Sequence, residues 1–511
     1  MSTAHTTVPR NPTSAETHRA ALDAPGTRPY RSAGNERARR TMSDATPTGT
    51  PFATHDRLGT RRTILRRAVV TGAAGLAVAC GGDNPQAAAP TAAPAPAPTT
   101  APAAPATAAP TKAATVAEVR LHGATAGAEG DYWPKVVESF NAKGGRTKVT
   151  FEAWPPDQNN VPASITLAAA GSLGDVMRLI VTSNYSQMAA RGYLADLGPL
   201  VAREKMDLSV FYPAATETLR FRGKSFGLPH IAHPGFCGLF INLDLWAQAG
   251  LPEPDESTWS FASLQESLRT LQSRRGDGQW AIFPPTLIQH LTVAARAFGG
   301  NVIDKDGKKS TIAATEAATG IEWLSNLILR DRVAPAPGVL QGGDQQNFVG
   351  GQVAAMWTNF GVINGLRKQA QGLRWRVFMG PKGSTGRGFF TGVDAASQNA
   401  ASKVPDAAFE VVQHVVSKEV SLGWFDVGFA PGARIDTWTD PKVAADDAFK
   451  VFARAFGEAS PFYLPDNGLI VDYNAALNKE LAPMWKGELP LRDALENARR
   501  AGQEVLDRTA G

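Results

Sequence analysis

The chain contains little cysteine and no apolar run long enough to cross a membrane. Cys80 and Cys237 are the only cysteines among its 511 residues, so the sequence excludes a disulfide framework and a metal site made of several thiolates. The apolar run 68–79 is shorter than the ~20 residues that a spanning helix needs. The sequence also contains no H-E-x-x-H zinc motif, no P-loop and no G-x-G-x-x-G nucleotide fingerprint. We therefore expect no catalytic residue, no cofactor and no bound metal.

The positive charge of the chain is confined to its N-terminal part. The formal net charge is +5, but residues 1–79 contain twelve arginines, no lysine and five carboxylates, a net of +7. The rest of the chain therefore carries a net charge of −2. Because the basic residues are not on the body of the protein, the overall charge gives no support for nucleic-acid binding.

The first eighty residues are predicted to be an export signal. Arg61 and Arg62 lie in the run T-R-R-T-I-L-R, which precedes the short apolar run and the sequence L-A-V-A-C ending at Cys80. This order resembles a twin-arginine signal followed by a lipobox, although Ala77 stands where a lipobox usually has a larger aliphatic residue. We expect lipid on Cys80 and an anchor at the outer face of the cytoplasmic membrane. Met42 is an alternative translation start, because it precedes the twin-arginine run by fewer residues than Met1 does.

Residues 80–116 consist largely of proline, alanine and threonine. Such a segment lacks the bulky apolar side chains that could offset the entropy cost of ordering. We expect a disordered, extended linker between the lipidated cysteine and the body.

Strand and helix patterns alternate in the body. The run 133–140 has apolar residues at helical spacing, and the run 148–153 alternates between apolar and polar residues as a strand does. Strand patterns also occur at 116–122 and 175–181. This alternation predicts an open α/β sheet, in which ligands bind beyond the carboxyl ends of the strands. In this sequence those ends lead into the loops 123–133, 154–160 and 182–186.

Six segments carry a pattern that is recognisable when they are taken in order. Residues 221–229 have the sequence F-R-G-K-S-F-G-L-P, residues 239–246 have L-F-I-N-L-D-L-W, and residues 348–357 have F-V-G-G-Q-V-A-A-M-W. The other three segments are 192–200, 258–261 and 481–495. Together they resemble the family 1 extracellular solute-binding proteins over about residues 117–510.

That resemblance implies a two-lobed α/β fold, the periplasmic-binding-protein fold of type II-like topology, with a ligand cleft between lobes joined by crossing strands. The expected first lobe is 117–234 plus about 392–435. The expected second lobe is about 235–391 plus about 436–511.

The resemblance implies that the ligand is a sugar. A sugar needs aromatic planes for its C–H faces and polar side chains for its hydroxyls. The loops of the first lobe supply both kinds, and the predicted ligand contacts there are Asp131, Tyr132, Trp154, Asp157, Gln158, Asn184 and Tyr185. The resemblance adds predicted contacts on the second lobe and at the crossings, which are Trp357, Asn359, Phe389, Phe390, His230 and Phe236. For the aromatic residues, packing in a core is the alternative role.

The resemblance implies an extracytoplasmic substrate-binding lipoprotein, monomeric and not an enzyme. It would bind a mono- or oligosaccharide and deliver it to the permease of an ABC importer by hinge closure. Two alternatives stay open. One is a secreted glycoside-active enzyme, because a catalytic pair of carboxylates leaves no trace in a sequence. The other is a solute sensor of the same fold that takes no part in transport.

Overall fold

The computed structural model describes residues 116–125, 128–154 and 161–509. The predicted export signal with Arg61 and Arg62, the predicted lipidation site Cys80 and the predicted linker up to residue 115 lie outside these residues, as do Asp157 and Gln158. Within the described residues, no helix has the length and apolar character that crossing a bilayer requires.

Strands occur throughout the described residues and are numbered in chain order. They are β1 (Ala117–Gly123), β2 (Thr147–Ala153), β3 (Val176–Ile180), β4 (Arg220–Phe221), β5 (Lys224–Ser225), β6 (Leu228–His233), β7 (Gly238–Asn242), β8 (Trp280–Ile282), β9 (Val353–Thr358), β10 (Trp375–Met379) and β11 (Gly392–Gln398). The first three strands lie where the sequence predicts them, to within two residues.

Helices fill most of the connections between the strands. They are α1 (Ala128–Asn141), α2 (Val161–Ala169), α3 (Ser186–Ala190), α4 (Gly198–Arg203), α5 (Pro213–Thr218), α6 (Leu243–Gln248), α7 (Phe261–Gln272), α8 (Ile288–Ala297), α9 (Thr315–Leu329), α10 (Asp344–Val349), α11 (Ile363–Gln369), α12 (Pro405–Val415), α13 (Lys418–Asp426), α14 (Ile435–Trp438), α15 (Pro441–Ala444), α16 (Phe449–Glu458), α17 (Ile470–Trp485) and α18 (Leu491–Leu506). A π-helical turn, Val181–Tyr185, and two 3₁₀ turns, Leu208–Val210 and Phe360–Val362, complete the description.

Helix α7 shows how local sequence sets these elements. Ser260 caps its first turn, and its hydroxyl accepts a hydrogen bond from the backbone N–H of Ser263 while the Ser263 side chain bonds back to the cap. Leu264, Leu268 and Leu271 follow at intervals of four and three and are fully buried. The helix therefore begins at a polar cap and packs through one apolar face.

Sheet 1 has five strands in the order β2-β1-β3-β11-β6. β1 is parallel to β2 and β3, whereas β11 is antiparallel to β3 and to β6. Helices α1 and α12 pack on this sheet. The carboxyl ends of β1, β2, β3 and β6 all meet at one edge, where β11 begins.

Sheet 2 has four strands in the order β10-β7-β9-β8. β7 is antiparallel to β10 and β9, and β8 is parallel to β9. β7 begins at the same edge at which β8, β9 and β10 end, because Gly238 lies opposite both Thr358 and Met379. The carboxyl ends of this sheet therefore also meet at one edge, next to the chain that arrives from sheet 1.

Three connections join the two sheets. Residues 234–237 run from β6 to β7, residues 380–391 run from β10 to β11, and the chain passes from α13 through α16 to α17. Helix α16 packs on both sides, since Phe452 contacts Phe240 of β7 while Phe456 stacks on Tyr212 at a ring-centroid distance of 3.7 Å. The prediction of two α/β lobes joined by crossing strands is confirmed.

Candidate functional site

A cavity of about 510 Å³ lies at the carboxyl edge of sheet 2. It is bordered by the residues that follow β8, by those that follow β9, by residue 236 of the first crossing and by the loop that leads into α10. Ligand pockets in proteins commonly have ~300–1,000 Å³, so the space suits a small organic molecule. We call it the lobe-2 cavity.

Three side chains that the sequence predicts as ligand contacts meet in this cavity. Trp357, near the end of β9, is 3% exposed, and Asn359 and Phe236 are half-buried. The Asn359 side chain accepts a hydrogen bond from the N–H of Gly361 and so caps the following 3₁₀ turn, which leaves its amide N–H₂ available. The cavity thus combines aromatic surface with an amide donor.

His290 holds two walls of the cavity together. Its ring lies 4.9 Å from that of Phe236 and 6.2 Å from that of Trp357. The Nδ1 atom accepts from the N–H of Leu287, and Nε2 lies 2.6 Å from the Trp357 carbonyl. Burial lowers the pKa of His290 to about 4. The ring is therefore neutral near pH 7, with its proton on Nε2.

Three features of the cavity were not predicted from the sequence: His290, the carboxylate of Asp344 and the half-exposed side chain of Leu287. The same rule that singled out the loops of the first sheet would have found two of them, since Leu287 and His290 follow the end of β8. The strand that precedes them, W-A-I, has only three residues, which is too short for its alternation to be recognised in the sequence.

At the edge of sheet 1, most of the predicted ligand contacts pack against or hydrogen-bond to other residues of lobe 1. Trp154 is 3% exposed and packs its ring 4.7 Å from that of His122. Tyr132 donates a hydrogen bond to the Val420 carbonyl at 3.0 Å. Asp131 is exposed in the first turn of α1. None of the three borders the lobe-2 cavity.

Asn184 and Tyr185 lie in the π-helical turn after β3 and are almost fully buried. The Asn184 side chain accepts from the N–H of Ile180, four residues back, and donates to Ser164. Tyr185 donates to the Leu219 carbonyl at 2.5 Å, and burial raises the pKa of its hydroxyl. In this structure both side chains bond within lobe 1.

His230 lies inside lobe 1, where it is 1% exposed. Its ring is 5.2 Å from that of Trp133 and 5.4 Å from that of Trp424. Burial lowers its pKa to about 3, with the nearby charge of Arg178 adding to the effect. The imidazole is therefore neutral and surrounded by aromatic packing.

Phe389 and Phe390 belong to the joint between the lobes. The Phe390 ring presses on the first crossing at Gly235, where a Cβ would lie 2.7 Å from the ring and the backbone has a φ of +70°. Only glycine fits there without strain. Phe390 also packs on Phe462, 5.3 Å away, and Phe389 borders a separate cavity of about 490 Å³.

Arg296 ties the second and third connections together. It donates to the carbonyls of Phe389 and Pro461 and to the Ser460 hydroxyl, at 2.6–3.0 Å. Ser460 in turn accepts at its carbonyl from the N–H of Thr391. Desolvation lowers the pKa of the Arg296 guanidinium to about 10, which still leaves it charged at pH 7.

A buried triad of charged side chains joins β3, β11 and α1 at the edge of sheet 1. Arg178 of β3 lies 2.5 Å from Asp394 of β11 and 3.2 Å from Glu129 of α1. All three side chains are between 11% and 14% exposed. The guanidinium offsets two carboxylates in a region of low dielectric, so it fixes the strand ends rather than offering charge to a ligand.

The comparisons with known proteins agree with this architecture. The family of bacterial extracellular solute-binding proteins matches residues 124–421, more than half of the chain. The chain belongs to this family. The arabinooligosaccharide-binding protein of Bacillus subtilis is 22% identical to this solute-binding protein over 410 residues, covering 75% of this chain and 89% of that protein.

Solved structures show the same fold. An ABC substrate-binding protein of Listeria monocytogenes in complex with cycloalternan matches with a TM-score of 0.67 at 18% identity, over 76% of this chain and 99% of the other. The GacH receptor of Streptomyces glaucescens, solved unliganded and with acarbose, matches with a TM-score of 0.64 at 22% identity, over 77% and 99%. At these identities the likeness concerns the fold alone, and it confirms the two-lobed architecture.

The expectation that this chain contains no G-x-S-x-G motif is wrong, because one stretch of this solute-binding protein matches that pattern. Residues 223–227 have the sequence G-K-S-F-G, the G-x-S-x-G pattern of hydrolases. A nucleophile elbow needs a sharp turn from a strand into a helix, whereas Ser225 lies on the β4–β5 hairpin and donates to the Gly227 carbonyl. Among the described residues, no group of three or more histidines, cysteines or carboxylates could hold a metal ion.

Proposed function

We propose that this protein binds a carbohydrate between its lobes and passes it to the permease of an ABC importer. The observation that carries the proposal is the lobe-2 cavity, with Trp357, Phe236 and Asn359 at the carboxyl edge of a sheet. The solved relatives named above hold cycloalternan or acarbose, and the Bacillus relative is named for arabinooligosaccharides. The protein acts as a binding component and not as an enzyme.

The chemistry of the cavity suits a sugar. The Trp357 indole and the Phe236 ring offer flat apolar surfaces to the C–H faces of a pyranose. Asn359, Thr358 and Asp344 provide the donor and acceptors that its hydroxyls need.

The position of Phe236 connects ligand binding to movement of the lobes. This residue lies in the first crossing and also borders the cavity, next to the Gly235 that Phe390 packs against. A ligand on lobe 2 therefore contacts the hinge directly. Closure is driven only by contacts that the open form lacks, and lobe 1 would supply them from across the cleft.

The sequence supports a place at the cell surface. The twin-arginine pattern at Arg61 and Arg62 and the lipobox ending at Cys80 would export the protein and anchor it by lipid. The linker that follows would let a monomeric body reach its permease.

Calorimetry on the purified body, residues 117–511, tests the proposal against a panel of mono- and oligosaccharides. We expect saturable heat and a rise in melting temperature with at least one sugar. The absence of heat and of a thermal shift for every saccharide would refute carbohydrate binding. Release of shorter products during long incubation would favour a glycoside-active enzyme instead.

A further inference from the structure

The segments that border the lobe-2 cavity contain a carboxylate but no lysine or arginine. These segments are 283–290, 336–344 and 358–362, and their acidic residue is Asp344. A cavity wall with this imbalance has a negative potential, which attracts cations and repels anions.

Asp344 is the charged side chain that borders the lobe-2 cavity. It is half-buried at the start of α10 and forms no ion pair with any described residue. One carboxylate oxygen accepts from the N–H of the next residue, at 2.8 Å, which leaves the other oxygen open. The one other titratable side chain on the cavity wall is His290, which is neutral, so nothing on this wall offsets the carboxylate.

The arginines of the hinge do not compensate for this charge. Arg296 is committed to carbonyls of the second and third connections, and Arg387 donates to the carbonyls of Gly380 and Glu256. Both border the cavity of about 490 Å³, which shares no residue with the lobe-2 cavity.

We infer that the cleft selects an amino sugar, a saccharide with a protonated amine, whose ammonium group pairs with Asp344. The Trp357 and Phe236 rings add cation–π attraction for a desolvated ammonium group near their faces. A neutral sugar leaves the partly desolvated carboxylate with weaker hydrogen bonds, and a uronate or a sugar phosphate meets it with like charge. This inference rests on the proposed function.

Matched saccharides test it on the purified body. For each neutral sugar of the calorimetric panel, the 2-amino-2-deoxy counterpart and the uronate counterpart are titrated at the same pH, where the amine is protonated. We expect the amino sugar to bind at least tenfold more tightly than its neutral counterpart and the uronate at least tenfold more weakly. The advantage of the amino sugar should shrink at high ionic strength.

Asp344→Asn should abolish the advantage of the amino sugar, so that the ratio of its affinity to that of the neutral counterpart falls to about one. Asp277→Asn, at an exposed acid that precedes the amino end of β8 and does not border the cavity, should keep the advantage. Circular dichroism shows that each variant is folded. Equal or tighter binding of the neutral counterpart, or an advantage that survives Asp344→Asn, overturns the inference while carbohydrate binding stands. If neither neutral nor amino sugars bind, the proposed function itself fails.

Discussion

The two sheets end in the same way, with carboxyl ends gathered at one edge, yet the two edges are built for different tasks. At sheet 1, Arg178 forms ion pairs with two carboxylates. Trp154 is buried, and Tyr185 is buried and hydrogen-bonded within the same lobe. At sheet 2, Trp357 and Asp344 border an open cavity. Topology places both edges at the cleft, but only the local packing decides which one offers free surface.

The largest expected difference between the lobes is their sensitivity to acid. Burial lowers the pKa of His230 to about 3 and of His233 to about 4, and both belong to sheet 1, as does His122, whose pKa is also lowered. Beside sheet 2, His290 of α8 is the one histidine among the described residues, and burial lowers its pKa as well. Between about pH 6.5 and pH 4 these histidines are protonated in the unfolded chain but stay neutral in the folded protein. The free energy of unfolding therefore falls as the pH falls.

Each such histidine contributes roughly 1.4 kcal/mol per pH unit in that window. Lobe 1 should therefore lose hydrogen-exchange protection before lobe 2 when the pH is lowered from 6.5 to 4.5. His230→Phe should reduce the pH dependence of urea denaturation. Simultaneous loss of protection in both lobes would contradict this prediction.

Removing the cation of the buried triad should destabilise lobe 1 strongly. Arg178→Met leaves Asp394 and Glu129 buried without an opposite charge, and we expect a loss of about 3–5 kcal/mol in urea denaturation. Arg203→Met, which breaks an exposed pair with Asp406, is the control and should cause no measurable change. Equal losses for the two variants would show that the triad is not a lock.

On the other edge, Trp357→Ala should act on binding as well as on stability. Calorimetry should show affinity for the identified sugar reduced by tenfold or more, because Trp357 borders the cavity. Trp438→Ala removes a buried indole that does not border the cavity and costs a similar ~3–5 kcal/mol of stability. An affinity that falls equally in both variants would remove Trp357 from the site.

The smallest expected effect concerns Leu287, a leucine that is 52% exposed at the mouth of the cavity. Leu287→Ser should leave the melting temperature unchanged and weaken sugar binding by about threefold, since a ligand would cover part of this side chain. Leu329→Ser, at an exposed leucine at the end of α9, should change neither quantity. Unchanged affinity in Leu287→Ser would show that the ligand does not reach this rim.

Sequence patterns predicted the architecture well because it rests on short-range rules. Strands β1 to β3 and helix α1 follow from alternation and helical spacing, and the family segments follow in order. The site was harder to predict. Trp357 was predicted from the family resemblance. Asn184 and Asn359 have the same polar side chain, but the Asn184 side chain is buried and hydrogen-bonded to Ile180 and Ser164.

The sequence by itself determined where the charge lies and how strands and helices alternate, because both depend on residue type and local order. Only the tertiary structure decided which edge is open. Whether a tryptophan faces a ligand or a core depends on neighbours far along the chain: Trp154 meets His122, while Trp357 meets His290 beside an empty volume. Packing of distant segments, and not the character of a single residue, makes the site.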